Sequence, residues 1–245
     1  MGAQVTGTAL VFGVGSQSGL GAALARRFAR EGMRVVIVGR TEARLESVVA
    51  DIRRQNGHAQ AIVADVTKEH DVANLFADAK LREALQLVVY NVGSNAAAPS
   101  LEMEPAFFER MWQQNALGGF LVGREAIRAM LAHGAGTLIY TGATASLRAR
   151  SPFIAFASAK AALRAVAQGF AREFGPQGIH VAHVVIDGVI GGDFARNNFA
   201  GFVEAKGEEG LLALDDIADS YWNLHRQHRS AWTHELDLRP FKEPF

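Results

Sequence analysis

The sequence predicts an α/β fold, a doubly wound parallel sheet of seven strands in a single domain. Short β-rich runs alternate with longer stretches of helical period along the whole chain, the pattern of repeated βαβ units. Several runs are unbroken apolar, such as Val35-Val36-Ile37-Val38 and Leu87-Val88-Val89, as strands covered by helices on both faces must be. A glycine-rich turn, Gly13 to Gly21, joins the first strand to the first helix. With 245 residues and an apolar fraction of 49%, the chain is long enough to bury one large core.

Taken in order, Thr8 to Gly13 reads as the first strand, and Leu20, Leu24 and Phe28 recur at four-residue intervals along the helix after it. Arg34 to Val38 is the second strand, followed by a helix striped with Leu45, Val48, Val49 and Ile52. Ala61 to Asp65, Leu85 to Asn91 and Thr137 to Thr141 supply the third, fourth and fifth strands. A long helix with the stripe Leu163, Val166, Phe170 and Phe174 is closed by Pro176 and Gly178 and leads to a sixth strand, His180 to Ile186. The stretch Val189 to Gly210 breaks the rhythm: it is rich in Gly and Asn, carries Phe194, Phe199 and Phe202, and its place suits a mobile lid with an apolar roof. Asp215 is the expected N-cap of the last helix, and Trp232 to Leu238 the last strand.

Composition narrows the function. Lys plus Arg equals Asp plus Glu at 25 each, so no overall field draws polyanions, and neither nucleic acid nor an acidic membrane surface is an expected partner. The absence of cysteine excludes disulfides, thiolate metal sites and cysteine nucleophiles. No basic leader and no apolar run of membrane-spanning length is seen, which predicts a soluble, cytoplasmic protein. His180 and His183 are three apart on a strand and point to opposite faces, and no histidine stands at ligand spacing from carboxylates, so no metal is predicted.

The turn Gly13-Val14-Gly15-Ser16-Gln17-Ser18-Gly19-Leu20-Gly21 sits at the first strand-to-helix junction, where open α/β sheets of the Rossmann type bind dinucleotides. Its glycines allow close backbone approach, so a pyrophosphate can rest on the helix N-terminus. The second strand ends in Gly39-Arg40-Thr41. A guanidinium there forks onto a 2′-phosphate, which favours NADP(H) over NAD(H); the alternative is a solvated loop arginine.

The spacing Gly15, Gly19, Gly21 resembles the glycine loop of the short-chain dehydrogenase/reductase family, and further motifs follow in order. Asp65-Val66 resembles the family's adenine-side pair, Asn91-Val92-Gly93 its Asn-Ala-Gly turn, Asn115 its helix asparagine, and Asp187-Gly188 stands where Pro-Gly is usual. The resemblance implies that a tyrosine four residues before Lys160 exchanges the proton at the substrate oxygen. It also implies that Lys160 holds the nicotinamide ribose, that a serine orients the substrate oxygen and that Asn115 supports a water relay. Here the tyrosine position is Phe156 and the serine position is Ala143, so both hydroxyls are missing. Loss of a general acid commonly costs about 10²- to 10⁴-fold in rate. Thr144 is the nearest substitute hydroxyl or else a turn cap, Asp187 a substitute acid or base or else a turn former, and Tyr90 and Tyr140 are core phenols.

The expected function is that of an NADP(H)-dependent oxidoreductase acting on a small apolar carbonyl, alcohol or activated alkene with an atypical proton donor. The alternative is a non-catalytic NADP(H)-binding sensor or an inactive subunit of a hetero-oligomer. The resemblance further implies a homodimer or homotetramer.

Overall fold

A computed structural model describes residues 7–93, 95–207 and 209–243. The first six residues, Glu208 inside the expected lid, and the last two residues of the expected domain therefore lie outside the described residues. Seven strands form one sheet in the order β3-β2-β1-β4-β5-β6-β7, every neighbouring pair parallel. They are β1 (Thr8–Phe12), β2 (Arg34–Gly39), β3 (His58–Val63), β4 (Leu85–Tyr90), β5 (Gly136–Thr141), β6 (Ile179–Ile186) and β7 (Glu235–Leu238). The single-domain, doubly wound, all-parallel expectation holds. Between strands run α1 (Leu20–Arg30), α2 (Glu42–Arg54), α3 (Glu69–Phe76), α4 (Ala79–Glu83), α5 (Pro105–Trp112), α6 (Gly118–Leu131), α7 (Ile154–Phe174), α8 (Asp193–Asn198), α9 (Ala200–Lys206) and α10 (Leu214–His225).

The unbroken apolar strands sort their side chains by alternation. Ala9, Val11, Leu87 and Val89 join a core with α1, α2 and α10 on one face; Leu10, Phe12, Val88 and Tyr90 join a core with α3, α6 and α7 on the other. The predicted helical stripes face these cores: Leu20, Leu24 and Phe28 are buried, as are Leu45, Val48, Val49 and Ile52, while Leu163 is buried and Val166, Phe170 and Phe174 pack at its margin.

Several boundaries differ from the sequence expectation. β3 runs from His58 to Val63 rather than from Ala61 to Asp65, because its pairing follows β2 residue by residue from Arg34↔His58 to Gly39↔Val63. β7 begins at Glu235 rather than Trp232, since Arg229 to Ala231 make a 3₁₀ turn and the Trp232 ring stacks on His180, centroids 4.9 Å apart. β1 stops at Phe12 because Gly13 turns to φ +81°, a conformation L side chains rarely adopt. The last helix starts at Leu214 after an Ala213 N-cap, which puts Asp215 in its first turn, where a negative charge still meets the positive end of the dipole.

Candidate functional site

The switch point of the sheet lies between β1 and β4, whose outgoing connections turn to opposite faces. At the carboxyl ends of these strands a cleft of about 220 Å³ opens. Backbone bonds weld its rim: Gly13 N and Val14 N donate to Val38 O at 3.0 and 3.1 Å, and Asn91 N donates to Phe12 O at 3.1 Å.

Gly13, Val14 and Gly15 line the cleft. A Cβ on Gly13 would stand 2.4 Å from Asn91 O and one on Gly21 would stand 2.8 Å from Gly13 O, so these glycines are required by packing inside the loop. Gly15 differs: a Cβ there would meet nothing within 4 Å, which leaves backbone open toward a ligand. Ser16 O accepts from Gly19 N at 3.1 Å, Gln17 reaches Ser47, and Ser18 O accepts from Asp193 N at 3.3 Å. Gly19 N-caps α1, while the Leu20 side chain belongs to the core, so only its backbone is available to a ligand.

On the β2 side, Arg40 and Thr41 line the cleft together with Arg44, which sequence reasoning did not single out; its place in the first turn of the helix right after Arg40 was the available signal. Opposite them lie Asp65 and Val66. Burial would raise the Asp65 carboxyl, but hydrogen bonds from Thr67 N (3.0 Å) and Thr67 Oγ1 (2.8 Å), with the charges of Arg40 and Lys68, hold it below the usual carboxylate range. It is an anion that braces its own loop.

At the end where the resemblance implies the reaction, the structure brings together Asn91-Val92-Gly93, Asn115 and Lys160. Asn115 sits in a π-helical turn, Gln113 to Leu117, between α5 and α6, a deviation often found at functional sites. Its Nδ2 donates to Met111 O at 2.9 Å, and its Oδ1 is buried with no partner among the described residues. Lys160 is buried too. Its Nζ donates to Thr141 O at 2.9 Å and Val92 O at 3.4 Å, and burial pushes it down to about 8. A Cβ on Gly93 would come within 2.6 Å of Asn115 Oδ1 and 3.0 Å of Lys160 Nζ, so these groups converge on one point.

Phe156 stands one turn before Lys160, its ring centroid 5.9 Å from Nζ. It is buried in an apolar cluster with Met111 and Ala155, against which Met103, Phe107, Phe153 and Ala143 pack. The two positions where the resemblance implies hydroxyls thus share one apolar wall. The Thr144 hydroxyl, the expected substitute, donates to Asp187 Oδ1. Asp187 is not a free acid or base. It is buried, and its Oδ2 is ion-paired, 3.3 Å from Arg148 and 2.5 Å from Arg239. Gly188 faces Pro240 of the tail (a Cβ would be 2.7 Å from Pro240 Cδ) rather than the cleft. Arg148 and Arg239 went unrecognised because nothing local in sequence pairs them with Asp187.

Tyr90 and Tyr140 are core phenols with satisfied hydroxyls, donating to Gln114 O and Gly119 O, and burial raises both. His180 and His183 face opposite sides of β6, toward Thr233 O (2.9 Å) and Glu235 (3.0 Å) respectively. No group of three potential metal ligands converges among the described residues, and no described helix is long and apolar enough to cross a membrane.

The family model of the short chain dehydrogenases matches residues 8–200. The chain belongs to that family. Within it, the chain is 34% identical over 170 residues to the A-factor type gamma-butyrolactone 1'-reductase (1S-forming) of Streptomyces virginiae, a match covering 68% of this chain and 66% of that relative's length. Among solved structures, a short-chain dehydrogenase from Rhodopseudomonas palustris is 38% identical and superposes with a TM-score of 0.83 over 97% of this chain and 100% of its own. A protein of Beutenbergia cavernae solved with NADP bound at low occupancy is 26% identical, with a TM-score of 0.82 over 96% of each chain. A short chain dehydrogenase fold therefore surrounds a cleft edged by arginines and open backbone, next to an apolar cluster around Phe156.

Proposed function

We propose that the protein is an NADP(H)-dependent oxidoreductase that moves a hydride to or from a small apolar carbonyl, alcohol or activated alkene, with no protein phenol as proton donor. The observation that carries this reading is the arrangement of the cleft: open backbone at Gly15 and the cations Arg40 and Arg44 at one end, and at the other Gly93, against which buried Lys160 and Asn115 converge. NADP bound in a family neighbour supports it.

The residues fit the cofactor. The amides around Gly15 and Gly19, at the start of α1, would take the pyrophosphate. Arg40 and Arg44 would fork onto the 2′-phosphate, with Thr41 beside it. Asp65, Val66, Asn91, Val92 and Gly93 would wall the adenine and nicotinamide ribose, whereas Gly188, expected from the sequence to join them, packs on the tail. NADPH supplies the hydride. Lys160 spends two of its donors on Thr141 O and Val92 O, and a third remains for the ribose or a water. The unpartnered Oδ1 of Asn115 would fix such a water, so the proton at the substrate oxygen comes through solvent linked to Lys160, not from a side chain at Phe156. The apolar wall of Phe156 and Ala143 favours substrates with little polar surface beside the reacting carbon. The stretch 189–210 acts as the lid, and the protein works as a homodimer or homotetramer in the cytoplasm.

NADPH oxidation measured over a panel of ketones, aldehydes and enones tests the reading. Slow turnover of at least one apolar member supports it. Tight NADPH binding with no turnover over the whole panel, before and after Phe156→Tyr, transfers support to a non-catalytic nucleotide sensor.

A further inference from the structure

We propose that the tail after β7 is a strap that fastens the lid to the reaction end of the cleft, with Asp187 as its anchor and Arg239 as the positioning residue that engages it. The proposal rests on the lid reading above. Because β7 runs parallel to β6, the chain leaves the sheet at the edge where the site lies. Arg239, the first residue beyond β7, lies there with its guanidinium 2.5 Å from the buried carboxylate of Asp187. Asp187 N also donates to Leu238 O at 2.9 Å, so the residue just beyond β6 holds the tail through backbone and side chain together.

From that anchor two connections diverge. One runs into the site: the Thr144 hydroxyl donates to Asp187, and Arg148 of the same loop lies 3.3 Å from its carboxylate, so the segment after β5 is held in a single arrangement. The other runs to the lid. Pro240 packs on Gly188 so closely that a Cβ there would lie 2.7 Å from its ring, and Glu243 pairs with Lys206 at the last turn of α9. At its opposite end the lid meets the nucleotide loop, where Gly192 abuts Ser18 O with only 2.5 Å available to a Cβ. The lid is therefore held at the glycine loop by its first residues and at the tail by its last. Phe194, Phe199 and Phe202 between these points are more than half exposed, so apolar packing of these rings contributes little to holding it and the polar ties matter more.

Hydrogen–deuterium exchange of the full-length, ligand-free protein tests the strap without requiring turnover. Arg239→Gln and Lys206→Glu are expected to speed exchange in 193–206 by about tenfold, with the central strands β1 and β4 unchanged. The charge-reversed double variant Lys206→Glu with Glu243→Lys is expected to restore the slow rate. Unchanged exchange in both single variants, or a double variant no slower than Lys206→Glu, would overturn the strap. Loss of protection across β1 and β4 in Arg239→Gln signals general unfolding, in which case the Lys206/Glu243 cycle alone decides. Adding NADPH to the unmodified protein tests the lid reading separately: exchange in 193–206 that does not respond to NADPH removes the lid while leaving the strap result standing.

Discussion

Phe156 and Lys160 define the chemistry at the scale of the residue. A lysine cation beside a phenol favours the phenolate; beside a phenyl ring it gains only a cation–π contact of about 0.5–2 kcal/mol. Restoring the phenol by Phe156→Tyr is expected to raise ketone reduction by about 10²-fold or more, with a further gain from Ala143→Ser, in an assay following NADPH absorbance. An unchanged rate in both variants would place the missing step elsewhere. Lys160 carries its own pH signature. Its folded value of about 8 lies below the ordinary 10.5, so from pH 8 to 10.5 the unfolded chain binds more protons and stability rises with pH. The charge proposed to hold the ribose is lost as pH rises through about 8. NADPH affinity is therefore expected to fall above pH 8 while the stability of the protein, relative to Lys160→Met, rises; affinity flat to pH 10 would contradict the buried ammonium.

Helix α6 shows at the scale of the element how close packing positions the site. Gly119 and Gly123 let it press against β4 and β5, where the Tyr140 hydroxyl donates to Gly119 O at 3.0 Å. A Cβ on Gly123 would lie 1.9 Å from that hydroxyl, and both groups are buried. Gly123→Ala is expected to lower stability by about 1–3 kcal/mol in urea titrations, by pushing α6 off the sheet. A neutral result would mean that α6 yields without cost. The same helical stretch explains what was and was not legible in the sequence. Apolar periodicity showed that Leu163 and Leu24 face the sheet, and the strand runs showed two covered faces, because those signals are local. The π turn holding Asn115, the hydrogen bond from Thr144 to Asp187 and the paired arginines 148 and 239 were not legible. Each depends on a partner about 40 or more residues away or on backbone geometry that no composition records. The glycine turn was legible because its spacing at the first strand-to-helix junction is a local signal, although the Asn91 carbonyl that Gly13 accommodates is distant in sequence. Arg44 was missed, although its place in the first turn of the helix right after Arg40 made it readable.

For the whole molecule, the parallel sheet gathers the chemistry on one edge and places buried ionisable groups behind it. His183 of β6 is fully buried, and burial lowers it to about 4 even though Glu235 would raise it. Between pH 6.5 and 4 the unfolded chain takes up a proton there that the folded chain refuses, so stability falls as pH drops through this window. The expected loss is about 3 kcal/mol from this residue. His225, also lowered to about 4 by burial, adds in the same direction. Urea midpoints at pH 7 and pH 4.5 measure the fall, and His183→Gln is expected to flatten it; an identical slope in that variant would assign the acid sensitivity to other groups. The fold thus keeps an edge of cations and open backbone, where the nucleotide is proposed to lie, beside an apolar wall proposed to face the substrate. Calorimetric titration of the protein with NADPH and NADH, repeated on Arg40→Glu, tests that claim most directly. The account predicts NADPH binding at least about tenfold tighter than NADH, with the preference abolished by the substitution. Equal affinities in the unmodified protein, or no binding of either nucleotide, would contradict it.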